Sequence, residues 1–265
     1  MKDKLINFIC RFYFAIIMIF LYAPIAVLIV LSFNKSRSRV KWGGFTLEWY
    51  AKVFSSTQIK EALQSTVILA LLSAFIALVI GVLAALGISA MRKRGYVLTM
   101  GITNIPLLNA DIVTGIALML WFIRFLPSLS FGSVLIAHIT FNIPYVILAV
   151  LPKIEQMNYS VYEASRDLGA GPVYGFFTTI LPQLTGGIVS GFFMALTMSM
   201  DDFVITYFTK GAGFNTLSTM IYGEIRKGIK PEMYALSTLI FVTVLAVLLV
   251  FNFASAKKKK EVILL

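Results

Sequence analysis

The sequence predicts an all-α integral membrane protein with six transmembrane helices. Residues with apolar side chains make up 59% of the chain and charged residues only 13%, far from the balance of soluble proteins. A helix needs about 20 mostly apolar residues to cross a bilayer, and six stretches of the chain qualify. Their apolar residues are continuous rather than alternating, which indicates helices and not the strands of a membrane barrel. The predicted spans lie near residues 12–33, 66–90, 105–125, 131–152, 187–208 and 234–255.

Span one follows Lys2, Lys4 and Arg11, a pattern that secretory signal peptides share. Its apolar run is longer than that of a signal peptide and lacks a small-residue cleavage site, so we interpret it as an uncleaved anchor. We expect residues 1–265 to form a single transmembrane domain without a soluble domain.

The net charge of +11 does not indicate nucleic acid, because Lys and Arg lie in clusters that flank the spans. Arg92-Lys93-Arg94 follow span two, and Lys257–Lys260 follow span six, where we expect them to meet anionic membrane lipid. By the positive-inside rule both clusters lie in the cytoplasm, and so do both termini. Basic residues of the first outer segment, among them Arg39, weaken the count, although the rule has less force in long segments.

Residues 153–186 form a polar insert between spans four and five. Ser160 is a suitable N-cap with Glu163 as its capping-box partner, which predicts a short helix over residues 159–168. Gly169 permits the reversal that ends this helix, and we expect a positive φ there. A second helix is expected over residues 172–182.

The end of this insert carries a Leu-Pro pair, Leu181-Pro182, and we expect Pro182 to break the chain before span five. The spacing of the insert resembles the EAA loop of ATP-binding-cassette (ABC) importer permeases. That pattern is Glu-Ala-Ala, three residues, Gly, nine residues, Ile, one residue and Leu-Pro. Here Ser165 replaces the second Ala, and Thr179 stands where Ile is expected, with Ile180 next.

The resemblance implies the type I permease fold and a cytoplasmic coupling helix that inserts into a cleft of a separate ATPase. An ordinary pair of connecting helices, in which Glu163 serves only as a cap, is the alternative. The residues to which the resemblance assigns ATPase coupling are Glu163, Ala164, Ser165, Gly169, Leu181 and Pro182.

The sequence contains no Gly-x-x-x-x-Gly-Lys-[Ser/Thr] phosphate loop, so we expect a permease and not an enzyme. ATP and Mg²⁺ would be bound by a partner ATPase dimer, and we expect no cofactor or metal in this chain. A chain of six spans also needs a second, different membrane subunit to enclose a path.

Three carboxylates lie within the predicted spans: Asp111 and the adjacent pair Asp201-Asp202. A charge at the centre of a span costs about 2.5–3.5 kcal/mol on insertion scales, so such residues usually face a cavity or a partner. Arg124 lies near the outer end of span three, and no Lys or Arg is deep enough to neutralise them. Carboxylates without compensation suit a cationic cargo, while a hydrogen bond between helices or an ion pair with a partner subunit is the alternative.

The sequence does not choose between Asp201 and Asp202. Adjacent residues of a helix point about 100° apart, so only one can face a path squarely. Thr197 lies four residues before Asp201, and Thr206 lies four residues after Asp202. Both carboxylates therefore remain candidates.

Several aromatic residues of the spans are candidates for cation–π contacts with an amine, with helix packing as the alternative role. They are Trp121, Phe141, Tyr145 and Phe203. His138 is the only histidine, and we expect it to form a packing hydrogen bond rather than a proton relay. The predicted substrate path consists of Asp111, Trp121, Tyr145, Asp201, Asp202 and Phe203.

Several short motifs are spread over nearly the whole chain: Ser32-Phe33-Asn34, Gly44-Phe45-Thr46, Trp49-Tyr50, Ser199-Met200-Asp201-Asp202 and the run from Ile221-Tyr222 to Pro231. Together they resemble the C-type permease subunits of bacterial spermidine/putrescine importers. This resemblance implies a polyamine cargo and a four-part machine in the bacterial plasma membrane: an external polyamine-binding protein, two different permeases and an ATPase dimer.

Other functions remain open at this point. An ABC permease for another solute, such as an inorganic anion or thiamine, is the nearest alternative, although unpaired carboxylates repel an anion. An ion-coupled secondary transporter would bind a proton or cation at Asp111 or Asp201, but the six spans show no repeat symmetry. A membrane scaffold without transport activity would tolerate loss of both Asp201 and Asp202.

Overall fold

Helices account for nearly all of the described chain. The computed structural model describes residues 2–38 and 40–263, and it describes side chains there except for those of residues 2–9, 247, 248 and 250–263. Within these ranges there is no β-strand, only a bridge between Asn34 and Phe45. A π-helical turn covers Phe176–Ile180. The helices are α1 (Lys2–Ser32), α2 (Glu48–Ser55), α3 (Thr57–Ser89), α4 (Lys93–Leu108), α5 (Asp111–Phe125), α6 (Phe131–Glu155), α7 (Tyr159–Asp167), α8 (Pro172–Gly175), α9 (Leu181–Asp201), α10 (Val204–Thr209), α11 (Leu217–Lys227) and α12 (Pro231–Ile263).

The chain divides into two compact units. The first consists of Met1–Lys60 and Ile221–Leu265, and the second of Glu61–Met220. In the first unit, α1 and α2 both pack against α12. In the second unit, α6 packs along α9, and α5 packs against α10.

A buried asparagine orders the loop that follows α1 in the first unit. The side-chain oxygen of Asn34 accepts a hydrogen bond from the backbone N–H of Gly43 at 2.8 Å. The backbone carbonyl of Asn34 accepts one from the indole N–H of Trp49, also at 2.8 Å. The hydroxyls of Ser32 and Tyr50 lie 2.7 Å apart. The Ser-Phe-Asn and Trp-Tyr motifs of the sequence therefore belong to one folded corner.

An ion pair joins α11 to the start of α12. Glu224 Oε2 lies 2.9 Å from Lys230 Nζ, and Glu224 Oε1 lies 3.7 Å from Lys227 Nζ. The hydrogen bond and the charge of Lys230 hold the pKa of Glu224 below its ordinary value. Pro231 follows as the first residue of α12, where its missing N–H breaks no helical bond.

A stripe of small residues brings α9 close to α6. Gly187, Gly191, Ala195 and Ser199 are buried at intervals of four residues, so they share one face of α9. A Cβ at Gly187 would lie 3.0 Å from the carbonyl oxygen of Ala149, which shows how closely the two backbones approach. Lipid offers no hydrophobic gain for helix association, so close packing of this kind stabilises the pair. The surrounding core consists of Ala74, Val82, Ala85, Ile88, Val146, Ile147, Val150, Leu151, Ile154, Leu184 and Ala195.

Apolar helices lie over all six predicted spans. Four are long and apolar enough to cross a membrane, and they lie over spans one, two, four and five: Cys10–Ser32, Thr57–Ser89, Phe131–Glu155 and Pro172–Asp201. Span six lies in α12, whose described apolar part is Pro231–Ala246. The predicted orientation rests in part on Arg39 and on the side chains of Lys2, Lys4 and Lys257–Lys260, which lie outside the described part of the structure.

Span three is a bent pair rather than one straight helix. The axes of α4 and α5 meet at 103°, with Asn109 and Ala110 extended between them. Pro106 lies inside the last turn of α4. The break comes at Asn109, three residues later.

Span five is also interrupted. Helix α9 ends at Asp201, Asp202 has extended backbone angles (φ −62°, ψ 128°), and α10 begins at Val204. The prediction of one helix over residues 187–208 is therefore wrong at its C-terminal end. The carboxylate of Asp202 accepts N–H groups at the start of α10 and so caps the new helix.

We predict that Gly187→Leu destabilises the second unit, because the new side chain must push against backbone atoms of α6. Overpacking of this kind costs about 1–3 kcal/mol. The matched control is Gly186→Leu on the same helix, since a Cβ at Gly186 meets only the end of the Lys153 side chain, at 3.9 Å. Thermal unfolding of the purified protein in detergent measures both, and equal melting temperatures for the two variants would contradict the close contact.

Candidate functional site

Helix α7 forms the predicted coupling helix, but its cap differs from the prediction. The side chain of Asn158 accepts the backbone N–H of Ser160 at 3.1 Å, so Asn158 is the N-cap and the helix runs over Tyr159–Asp167. The assignment of Ser160 as N-cap with Glu163 as its capping-box partner is wrong. Asparagine two residues earlier has the same reach to an N-terminal N–H, and the sequence offered both residues. Glu163 is therefore not used as a cap.

Gly169 ends α7 with the reversal that its position predicts. Its φ is +87°, a value that residues with a Cβ rarely adopt. The N–H of Gly169 bonds to Arg166 O at 2.9 Å, and the N–H of Ala170 bonds to Ser165 O at 3.0 Å. These two bonds form a Schellman motif, so the expectation of positive φ at Gly169 is confirmed.

The residues of the Glu-Ala-Ser element point in different directions. Glu163 and Ala164 are exposed, and no side-chain hydrogen bond or ion pair of Glu163 occurs in the described part of the chain. Ser165 is half-buried and donates its hydroxyl to Tyr162 O at 2.7 Å. A Cβ at Gly175 would lie 3.0 Å from the ring of Tyr162 and 3.3 Å from Ser165 Oγ. Ser165 therefore helps to seat α7 on α8, while Glu163 and Ala164 form its outer surface.

A cleft of about 460 Å³ opens beside this reversal, between α7 and α8. It is lined by Ser165, Leu168, Gly169, Ala170, Gly171 and Tyr174. Leu168 is 89% exposed and Tyr174 is 67% exposed, so two apolar side chains face outward at the tip of the insert. Sequence reasoning missed both residues, although an apolar residue directly before the reversal glycine is itself a signal.

Leu181-Pro182 does not interrupt the chain as expected. The helical region Pro172–Asp201 is continuous over 30 residues. The π-helical turn lies directly before the proline, and the N–H of Leu181 bonds to Phe176 O, five residues back. Such a wide turn accommodates a residue without an N–H, so Pro182 continues the helix. Gln183 accepts the N–H of Asn158 at 3.1 Å and so ties the start of α7 to α9.

Asp202 stabilises the interruption of span five. Its carboxylate accepts the backbone N–H groups of Ile205 at 3.1 Å and Thr206 at 2.8 Å, and the hydroxyl of Thr206 at 2.7 Å. Its Oδ2 also lies 3.5 Å from Nε2 of His138, and its side chain is only 8% exposed. From the sequence, both carboxylates of the pair were expected to lack a compensating partner. For Asp202 that interpretation is wrong, because four groups surround it.

His138 connects three helices in the second unit. It is fully buried, with Nδ1 2.6 Å from the Ser199 hydroxyl and Nε2 2.8 Å from the Thr206 hydroxyl. Ser199 in turn lies 2.9 Å from the hydroxyl of Ser73. The prediction of a packing hydrogen bond for His138 is confirmed, although the sequence did not indicate that it meets Asp202.

Asp201 has the opposite environment to its neighbour. Its side chain is exposed, and no side-chain hydrogen bond or ion pair of Asp201 occurs among the described residues. Thr197, four residues earlier, donates its hydroxyl to Phe193 O instead. Asp202 is thus committed to contacts within the fold, whereas the Asp201 side chain is exposed and has no such contact among the described residues.

The remaining residues of the predicted path occupy different environments. Asp111 is exposed in the first turn of α5, and Trp121 is 53% exposed two to three turns later. Tyr145 is half-buried against the cluster of Phe122, Ala137, Phe141 and Ile205. Phe203 is half-buried at the break in span five, with its ring centroid 5.4 Å from that of Tyr207. Phe141 is buried and packs edge to face on His138 at 5.1 Å, so it serves helix packing.

Comparison with known proteins assigns this architecture to a family. The model of the family "Binding-protein-dependent transport system inner membrane component" matches residues 77–258. The spermidine/putrescine transport system permease protein PotC of Escherichia coli K12 is 33% identical over 241 residues, which cover 91% of each chain. The chain belongs to this family.

Other relatives and two solved structures agree with that assignment. The putrescine transport system permease protein PotI of Escherichia coli K12 is 32% identical over 249 residues, covering 91% of this chain and 89% of that one. A bacterial ABC transporter that imports the acidic polysaccharide alginate matches with a TM-score of 0.71 at 18% identity, over 97% and 96% of the two chains. The MetNI methionine transporter matches with a TM-score of 0.56 at 19% identity, over 74% and 95%. At these identities the structures support the fold alone.

This permease thus has the type I ABC importer fold that the EAA resemblance implied, and it is a multi-pass protein of the inner membrane. The family transports solutes with the help of a binding protein, which favours an ABC importer over an ion-coupled secondary transporter. The predicted family and fold class are confirmed.

We predict that Asp202→Ala and Asp201→Ala differ sharply in stability, although they change adjacent carboxylates. Asp202→Ala removes a helix cap and leaves His138 and Thr206 without a buried partner, at a cost of about 2–4 kcal/mol. Asp201→Ala removes no contact and should stay within about 0.5 kcal/mol of the parent. Melting temperatures of the two purified variants in detergent test this, and equal losses would show that the Asp202 network does not stabilise the fold.

Proposed function

We propose that this permease imports polyamines of the spermidine and putrescine class as one of two membrane subunits of an ATP-driven importer. The observation that carries the proposal is the carboxylate of Asp201, exposed at the break of span five without a cationic partner among the described residues. Such a group attracts ammonium and repels anions. The names of the relatives, which refer to spermidine and putrescine transport, support the same cargo.

A second carboxylate lies at a comparable place in the fold. Asp111 follows the break of span three as Asp201 precedes the break of span five. Helices α5 and α10 pack together, and a Cβ at Gly115 would lie 3.2 Å from the Phe208 ring and 3.5 Å from Ile205 Cα. Gly115 is one turn from Asp111, and Ile205 is four residues from Asp201. Both carboxylates would therefore serve one cationic path, with Trp121, Tyr145 and Phe203 as its aromatic residues and Asp202 as its support.

The assembly that we propose has four kinds of component. An external binding protein would deliver the polyamine, a second permease would complete the path, and an ATPase dimer would bind ATP and Mg²⁺. We place both termini in the cytoplasm, on the same side as α7. Residues 1–265 would act as a single permease domain, since the family match at residues 77–258 includes parts of both compact units.

Coupling to the ATPase would occur at α7 and the reversal that follows it. Glu163 and Ala164 supply an exposed polar and small surface, and Gly169 sets the direction of the chain beyond it. Ser165 and Leu181-Pro182 would contribute indirectly. Ser165 would hold α7 against α8, and Leu181-Pro182 would connect α8 to α9 without a break in the helix. The cleft beside Gly169, with the exposed Leu168, is the apolar part of the proposed contact.

We predict that Gly169→Val uncouples the ATPase while the permease still enters the membrane. A β-branched residue at φ +87° is strained, so the reversal must open and displace α7. The matched control is Gly213→Val, which places the same residue at the same φ of +87° with open space around it, in a turn outside the α7–α8 insert. Co-purification of the ATPase and uptake by the reconstituted complex are the measurements, and full ATPase retention with normal uptake in Gly169→Val would contradict the coupling role.

We predict that Asp201→Asn raises the half-saturating concentration for spermidine uptake about 10- to 100-fold, since a hydrogen bond to a charged group is worth roughly 1.5–3 kcal/mol. Asp201→Glu keeps the charge and should restore part of the affinity. Uptake of labelled spermidine into proteoliposomes that contain the full complex measures both variants. Wild-type uptake by Asp201→Asn, or an absence of polyamine uptake by the parent complex, would overturn the proposed cargo.

A further inference from the structure

A groove of about 520 Å³ runs along α5 in the second unit. Its walls come from the end of α4, from one face of α5 and from α6, and it includes Asn109, Thr114, Leu118 and Trp121. Most of its surface is apolar, and its polar side chains are those of Asn109, Thr114 and Thr140. The bend of 103° between α4 and α5 creates the groove, because a straight span three would bring no second wall beside α5.

A carboxylate that does not itself line the groove, that of Asp111, lies one turn before the lining residue Thr114. Asp111, Thr114 and Leu118 are spaced three and four residues apart, so they share one face of α5. Thr114 and Leu118 line the groove, which places Asp111 on the groove side of the first turn. Among the described residues no cationic side chain lies within 4.0 Å of the Asp111 carboxylate.

An aromatic ring lies further along α5. Trp121 lines the groove and is 53% exposed. The nearest basic residue on this helix, Arg124, lies over the ring of Phe125 at 5.7 Å, and no cation of the described residues lies over Trp121. The ring of Trp121 packs against that of Phe125 at 5.1 Å, and its exposed part remains available to an ammonium group.

We propose that this groove is a subsite that measures the length of a linear polyamine, an inference that rests on the proposed function. One terminal ammonium binds Asp111, a second lies on the face of Trp121, and the methylene groups between them pack on Ala117 and Leu118. Asp111 and Trp121 are ten residues apart, a rise of roughly 15 Å along α5. Spermidine is nearly twice as long as putrescine, so the triamine engages both ends at once and the diamine engages only one.

The test uses the complete reconstituted transporter and compares spermidine with putrescine as competitors of labelled spermidine uptake. Trp121→Leu should raise the half-inhibiting concentration of spermidine about three- to tenfold, the loss expected for a cation–π contact, and leave that of putrescine nearly unchanged. Trp121→Phe keeps an aromatic face and should recover most of the loss. Ala117→Phe fills the groove without removing either end and should weaken spermidine selectively.

The matched control is Ile116→Phe, which adds the same ring to the neighbouring residue outside the groove and should change neither competitor. Equal shifts for spermidine and putrescine in Trp121→Leu would overturn the length-measuring subsite. So would loss of the second permease from complexes with Ala117→Phe, which would identify the groove as a subunit contact. The failure of the proposed function is distinguishable, because the parent complex would then take up neither polyamine.

Discussion

The hydrogen bonds that Asp202 accepts make an interrupted helix possible inside an apolar span. A helix that begins within a membrane exposes N–H groups that lipid cannot satisfy. Here the carboxylate of Asp202 accepts two of them, and His138 and Thr206 surround the same carboxylate. The carboxyl group of Asp202 is thereby held inside the span with hydrogen-bond partners of its own. The consequence for function is that the neighbouring carboxylate, Asp201, has no structural task and is left exposed at the end of α9.

The same helix connects this carboxylate with the proposed coupling element. The helical region Pro172–Asp201 is continuous, so roughly 45 Å of helix separates the cleft beside α7 from Asp201. Its close contact with α6 through Gly187 and Gly191 resists bending over much of that length. A displacement of α7 by an ATPase would therefore reach the path as motion of a packed helix pair. The π-helical turn at Phe176–Ile180 is the one irregular segment in this described connection, and it lies near the coupling end.

A structural feature could be predicted from the sequence only where it imposes a requirement on the residues themselves. Apolar length locates spans well, because the bilayer sets one requirement for all of them. Breaks escape this reasoning, since Asn109 or Asp202 changes the mean hydropathy of a span very little. Gly169 was predictable because only glycine tolerates its φ, whereas Ser160 and Asn158 were equivalent as caps until the backbone was known. The roles of Asp201 and Asp202 depended on a residue 64 positions away from Asp202 in sequence, His138, which no local pattern connects with them.

The fold itself does not determine the charge of the cargo. A transporter of an acidic polysaccharide shares this architecture over 97% of the chain, so the same arrangement of spans serves an anion there. In this permease carboxylates stand at the two helix breaks, where Asp111 and Asp201 are both exposed and unpaired in the described structure. An unpaired charge within a span is costly, and it is neutralised when a cation passes or when a partner subunit supplies one. Because Asp202 already supplies the cap of α10, the fold does not need an unpaired charge at Asp201, and the proposed passage of a cation would give that charge a physical reason.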